Sequence, residues 1–241
     1  MHKNNPQTGT LYLIPSSLGE NELSMVWPSG NIRIVKLLNT FIVENLRTAR
    51  RFLRRAGYDR DFDEVTFFLL NKHTTVSERQ RFLESCQRGE STGLLSEAGA
   101  PCIADPGQII VAEAHEQGIA VKPLSGPSSI ILALMTSGMN GQEFCFHGYL
   151  PIHQPERIKK IKALERETQK SGATQIFMEA PFRNNSLLAD LLKYCSQDTR
   201  LCIAADLTMP TEFVQTKTIF QWQSRAYPDM HKRPAIFLLG T

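Results

Sequence analysis

Short apolar runs rich in β-branched and aromatic residues alternate along this chain with stretches whose apolar positions recur every three or four residues. The first kind predicts strands over 9–15, 39–43, 65–70, 93–95 and 121–123, and the second predicts helices over 46–56, 77–87 and 107–117. A second series follows, with strands over 142–148, 174–178, 201–205 and 235–239 and helices over 129–137, 156–168 and 184–194. Alternation of this kind, with short connections, is the pattern of α/β units with parallel strands. Each series has enough strands for its own sheet. The pattern therefore predicts an α/β fold of two α/β domains, 1–124 and 125–241, joined around 123–127. Residues 211–217 and 219–222 read as a hairpin or edge pair, which predicts a mixed sheet in the second domain. No repeat period and no low-complexity tract interrupts the two series.

Composition changes this picture little. The chain has 241 residues, 41% of them hydrophobic and 21% charged, which suits a globular protein with a sizeable core. Its formal net charge of +3 is too small to argue for nucleic acid by itself. Five cysteines are scattered without C-x-x-C spacing, so reduced thiols in a cytoplasm are expected, and neither a disulfide framework nor a metal site is. The polar first nine residues lack the apolar core of a signal peptide, and no window is apolar enough to span a membrane.

Chemistry concentrates in loops that follow strands. The run L-L-S-E-A-G-A-P-C-I-A-D-P-G at 94–107 is an apolar pair followed by small residues, two prolines and two glycines, with carboxylates at Glu97 and Asp105. Such side chains leave the main chain open to close approach by a ligand. The loops at 15–19, 124–129 and 178–183 share this character, and several such loops at one sheet edge build a pocket. No G-x-G-x-x-G follows the first strand, and no P-loop or G-x-S-x-G elbow occurs, so a ligand without phosphates is favoured.

Arg47, Arg50, Arg51, Arg54 and Arg55 fall within about 140° of one helical face, opposite Leu46, Ala49, Phe52, Leu53 and Ala56. That face reads either as a surface for phosphate or carboxylate groups or as a solvated helix face. Arg157, Lys159, Lys160 and Lys162 read as a solvated face, and Trp27 and Trp222 as packing residues.

Taken together, G-T-L-Y-L-I-P-S-S-L-G (9–19), L-S-E-A-G-A-P-C-I-A-D-P-G (95–107), P-L-S-G-P-S-S (123–129) and F-M-E-A-P-F-R (177–183) resemble the tetrapyrrole methylase superfamily. Within it the series is most similar to the ribosomal RNA small subunit methyltransferase I family, over nearly the whole chain. The resemblance implies S-adenosylmethionine as methyl donor, bound in the cleft between two α/β domains, no metal, and a homodimer. It places the donor site at Ser96, Glu97, Ala98, Gly99, Ala100, Ile103 and Ala104, with Ser128, Ser129, Met178, Ala180, Pro234 and Ala235 from the second domain. It implies a cytoplasmic enzyme acting on ribose 2′-hydroxyls of small-subunit ribosomal RNA.

The departures from the pattern lie on the acceptor side. The family's E-D-T-R reads Glu44-Asn45-Leu46-Arg47, its R-E-L-T-K reads Ala205-Asp206-Leu207-Thr208-Met209, and the sequence ends at Thr241, short of the family's common C-terminal extension. A ribose hydroxyl needs a base to take its proton, and Glu44 and Glu179, both at strand ends, are the catalytic candidates. The plainer reading of each is a structural hydrogen bond or a salt bridge with Arg47 or Arg183. Arg47, Arg50 and Arg183 are the candidate acceptor-binding residues. Two alternatives stay open: a methylase of a tetrapyrrole or other small acceptor, and a donor-binding protein that has lost catalysis.

Overall fold

The computed structural model describes residues 8–224 and 227–241 and divides the chain into two units, Met1–Pro127 and Ser128–Thr241. The division falls after Pro127, three residues beyond the boundary expected from the pattern.

In the first unit the elements follow as β1 (Thr10–Ile14), α1 (Ser29–Val35), β2 (Thr40–Val43), α2 (Leu46–Arg55), β3 (Thr66–Leu69), α3 (Val76–Arg79), α4 (Glu84–Gln87), β4 (Thr92–Leu95), α5 (Gln108–Glu116) and β5 (Ala120–Pro123). The five strands form one parallel sheet in the order β3-β2-β4-β1-β5. Every residue of β2 and β4 is buried, as continuous apolar strands covered on both faces require. Gly93 serves that packing: a Cβ there would sit 2.6 Å from Ile14 and 2.9 Å from Phe41.

The pleat sorts the core into two layers. Ile14, Phe41, Val43 and Leu95 meet Val35 of α1 and Ala49, Phe52 and Leu53 of α2 on one face. Leu11, Ile42 and Leu94 meet Phe82, Cys86, Ile110 and Ala114 on the other. The connections leaving β1 and β2 thus cover one face, and those leaving β3 and β4 cover the opposite one. Right-handed crossovers in the observed strand order give the same division. β4 lies between β2 and β1, so a topological switch point flanks its carboxyl end on each side, where ligands of open α/β sheets bind.

The expected helix over 77–87 is two short helices, because Phe82 and Leu83 both turn into the core and Phe82 stacks on Phe68 at 4.8 Å. Helix α1 was not predicted: Ser29, Gly30 and Asn31 dilute its apolar stripe.

In the second unit the order is α6 (Ser129–Ser137), β6 (Phe144–Tyr149), α7 (Gln154–Ser171), β7 (Thr174–Met178), α8 (Asn184–Tyr194), β8 (Arg200–Ala205), β9 (Phe213–Thr218), α9 (Ile219–Gln223) and β10 (Ala235–Gly240). The sheet is mixed, in the order β6-β7-β10-β8-β9, with only β6 and β7 parallel. The edge strand expected over 211–217 is β9, but 219–222 is helical. Thr218 and Gln221 form a reciprocal capping box that starts α9, and Trp222 is buried with its indole N–H on the Leu201 carbonyl at 2.9 Å.

Arg157 is likewise not solvated. It is buried and paired with Asp190 at 2.6 Å, with further bonds to Ser186 and the Ile152 carbonyl. Trp27 and Trp222 are both buried packing residues. No helix among the described residues is long and apolar enough to cross a membrane, and all five cysteines are unpaired.

Candidate functional site

The loop leaving β4 is stitched to the loop leaving β1 by main-chain bonds. Ser16 N–H donates to the Gly99 carbonyl at 2.9 Å, and Gly99 N–H returns a bond to the Ser16 carbonyl at 3.2 Å. The buried Ser16 hydroxyl donates to the Ser96 carbonyl, and the Ser96 hydroxyl donates to the Gly99 carbonyl at 2.6 Å. Gly99 has φ +73°, and a Cβ there would stand 3.1 Å from Leu18, so the position takes glycine. Cys102 and Ala104 also have positive φ, 69° and 62°, although neither is glycine. Conformations of this sort cost about 1–3 kcal/mol each and persist where surrounding bonds impose them.

Asp105 supplies those bonds. Its carboxylate accepts from Cys102 N–H at 2.9 Å and from Gly107 N–H at 2.7 Å. Burial raises its pKa against the lowering effect of those two bonds, and pushes the neighbouring Cys102 thiol up to about 12. Cys102 is therefore a neutral thiol, not a nucleophile.

Two crevices open beside the end of β4. One, of about 210 Å³, is lined by Ser16, Glu44, Asn45, Thr48, Ser96 and Glu97 among others. The other, of about 180 Å³, lies on the opposite side with Glu44, Leu94, Asp105 and Gly107. Glu44 is common to both.

Glu44 follows β2 directly and accepts a bond from Glu97 N–H at 3.2 Å. No Lys, Arg or His pairs with it among the described residues, so the salt bridge to Arg47 is not formed. Burial raises its pKa, the Glu97 bond lowers it, and the charges of Asp105 and Glu97 raise it further. Asn45 caps α2 by accepting from Arg47 N–H at 2.9 Å and Thr48 N–H at 3.2 Å, and the Thr48 hydroxyl reaches Glu97 at 3.2 Å. An aspartate would cap equally well, so the departure at Asn45 keeps the helix start and removes one charge.

The arginine face of α2 is divided. Arg50 lies 5.3 Å from the Phe67 ring and 5.4 Å from Phe62, Arg54 lies 3.9 Å from Phe62, and Arg55 donates to the Asn21 carbonyl. Arg47 and Arg51 are exposed, and no bond, ion pair or ring contact engages their side chains among the described residues.

Of the expected donor residues in this unit, Ser96 and Gly99 are buried, Ala100 is half-buried, and Glu97, Ala98, Ile103 and Ala104 are exposed. Ser16, Thr48 and Asp105 complete the constellation and were not among the expected site residues. Ser16 and Asp105 do stand inside the small-residue loops at 15–19 and 94–107.

In the second unit, Met178, Glu179 and Ala180 leave the end of β7 while Pro234 and Ala235 enter β10 beside it. Ser128 stands at the start of α6 with its hydroxyl capping nothing, and Ser129 is half-buried. Glu179 is buried and takes bonds from Arg183 at 2.5 Å and Ala180 N–H at 2.7 Å. Glu179 Oε2, Arg183 Nε and Asn184 Oδ1 are buried with no hydrogen-bond partner among the described residues. No group of three or more His, Cys, Asp or Glu among the described residues could hold a metal ion.

A parallel sheet whose carboxyl edge is built from loops of small residues is the architecture of α/β ligand-binding proteins and enzymes. Comparison with known proteins makes this specific. The family model of tetrapyrrole (corrin/porphyrin) methylases matches residues 33–222, and the chain belongs to that family of S-adenosylmethionine-dependent methyltransferases. It is 30% identical, over 96% of its length and 80% of the relative's, to the ribosomal RNA small subunit methyltransferase I of Xylella fastidiosa (strain Temecula1 / ATCC 700964). It is 27% identical to the Escherichia coli O157:H7 protein of the same name, over 96% of this chain and 77% of that one. In fold it is similar to the methyltransferase CobJ (TM-score 0.63, 16% identity, 97% and 95% covered). It is also similar to uroporphyrin-III C-methyl transferase from Thermus thermophilus complexed with S-adenyl homocysteine (TM-score 0.57, 15% identity, 96% and 97% covered). The expected fold class and methyltransferase activity are thereby borne out.

Proposed function

We propose that this enzyme methylates a ribose 2′-hydroxyl of small-subunit ribosomal RNA. The observation that carries the acceptor is the match, over nearly the whole chain, to relatives named for that RNA. For the donor, the exposed small residues Ala98 and Ala104 and the carboxylates of Glu44, Glu97 and Asp105, whose negative field suits a cation, support the reading. When bound, S-adenosylmethionine supplies a methyl group whose transfer discharges a sulfonium.

The protein's own work is then alignment and proton removal. The donor residues of this reading are Ser96, Glu97, Ala98, Gly99, Ala100, Ile103 and Ala104 in the first unit, and Ser128, Ser129, Met178, Ala180, Pro234 and Ala235 in the second. Glu44 accepts the hydroxyl proton, being the carboxylate of the pair that no cation neutralises. Arg47, exposed and unengaged, contacts an acceptor phosphate. Arg50, committed to two aromatic rings, supports the surface Arg47 stands on. No step of this reading calls for a metal. The enzyme works in the cytoplasm, as a homodimer.

Two measurements test the reading. Calorimetry with S-adenosylmethionine is expected to show saturable binding, and its absence removes the donor site. Mapping ribose methylation in ribosomal RNA from a deletion strain is expected to show one lost mark in the small subunit, and an unchanged map removes the acceptor.

A further inference from the structure

The carboxyl edge of the second sheet presents two aromatic rings to solvent. Phe182 is 62% exposed in the 3-10 turn Pro181–Arg183 after β7, and Tyr149 is 57% exposed at the end of β6. A phenylalanine left in water forgoes the burial energy that normally draws it inward. β6 pairs with β7 so that Tyr149 stands opposite Met178, which brings both rings to one edge.

Cations accompany the rings. The Arg183 guanidinium lies 4.9 Å from the Phe182 ring centroid and is clamped from behind by the buried Glu179. That hydrogen bond raises the Arg183 pKa, against a lowering by burial, and the charge of Glu179 adds to it. Lys232 is exposed, and its main-chain N–H donates to the Pro181 carbonyl at 3.0 Å, with φ at +61°. Exposed rings offer faces on which any base can stack, and neighbouring cations match the phosphate attached to it.

We propose that Phe182, backed by Arg183, is a stacking platform for an unpaired base of the acceptor RNA, with Lys232 beside its phosphate. The proposal rests on the ribosomal RNA reading and adds the residue that grips the acceptor strand. It makes Glu179 a positioning residue that holds Arg183 against the ring.

The test uses the full chain, a short single-stranded RNA bearing one 2-aminopurine, and small ribosomal subunits. Binding is expected to quench the 2-aminopurine. Phe182→Ala is expected to abolish the quench, weaken RNA binding about tenfold or more, and raise KM for subunits by a similar factor. It leaves S-adenosylmethionine affinity unchanged by calorimetry, and Phe182→Trp restores both RNA readouts. A Phe182→Ala protein that binds and quenches as before overturns the platform. So does one that loses donor binding, which makes Phe182 part of the donor site, or one whose dimer dissociates, which gives this face to a second copy. If wild type methylates subunits and Phe182→Ala matches it, the platform falls and the ribosomal reading stands. If wild type quenches through Phe182 but methylates no subunit, the platform stands and the ribosomal reading falls. If wild type neither binds RNA nor methylates it, both fall.

Discussion

Glu44 and Glu179 occupy corresponding places, each the first residue after a strand of its own sheet, yet their surroundings are opposite. Glu44 is half-buried beside two other carboxylates, with no cation paired to it among the described residues, and burial above all holds its proton more tightly than usual. Glu179 has a fully buried side chain and a guanidinium at 2.5 Å. A carboxylate that is to take a proton in a reaction must not be neutralised by a fixed cation, and its pKa is best moved toward the working pH. On the proposed reading the first environment suits proton transfer, while the second holds a loop in place. Position at a strand end is the same in both and decides nothing.

The largest effect expected of this difference is on rate. Glu44→Gln keeps the size and the bond to Glu97 N–H but cannot accept a proton, so methyl transfer should fall by about 10²- to 10⁴-fold with donor affinity kept. The wild-type rate should decline on the acid side as Glu44 becomes protonated, above its ordinary 4.5 because burial raises it. The variant's residual rate should lose that acid limb. A Glu44→Gln enzyme of normal rate and unchanged pH profile would erase the distinction between the two sites.

Stability should report the contrast from the other side. Arg183→Ala leaves Glu179 buried and uncompensated, and losing one partner of such a pair costs about 3–5 kcal/mol. The Arg183 side chain is 26% exposed, so the lower end of that range is expected, read as a lower urea midpoint. Glu44→Gln should show no such loss. Equal destabilisation by both variants would mean that Glu44, too, is chiefly structural.

How much of this was legible beforehand differs by kind of interaction. The strands 174–178 and 39–43 were readable from their apolar ends, Ile176-Phe177-Met178 and Phe41-Ile42-Val43, because a strand buried on both faces is rich in apolar residues. The loop at 94–107 was readable because only small residues leave main chain exposed. The bridge between Ser16 and Gly99 was not, since a main-chain pairing across 83 residues leaves no side-chain signature. The arginine face of α2 was visible as a helical stripe, but Phe62 and Phe67 come from outside the helix to cover Arg50 and Arg54. Arg157 failed in the same way: helical periodicity does not show that Asp190 of α8 waits opposite. Glu44 and Glu179 could not be ranked from sequence because their difference lies wholly in which charges approach through space.

The smallest effect is the most discriminating. Glu44 has its pKa raised by folding, so the folded state binds its proton more tightly than the unfolded chain does. The stability this contributes is complete below the unfolded value near 4.5 and is lost as pH rises through the higher folded value. Above that window the ionised Glu44 sits against Glu97 and Asp105, and the fold pays for the charge. Glu44→Gln should therefore match wild type in melting temperature at low pH and exceed it at neutral pH. The gain is modest because solvent screens a half-exposed group. A residue kept for structure would lose stability when neutralised. One kept for proton transfer is more stable without its charge, and thermal melts of the two proteins across the acid range separate these cases even if the acceptor were a different molecule.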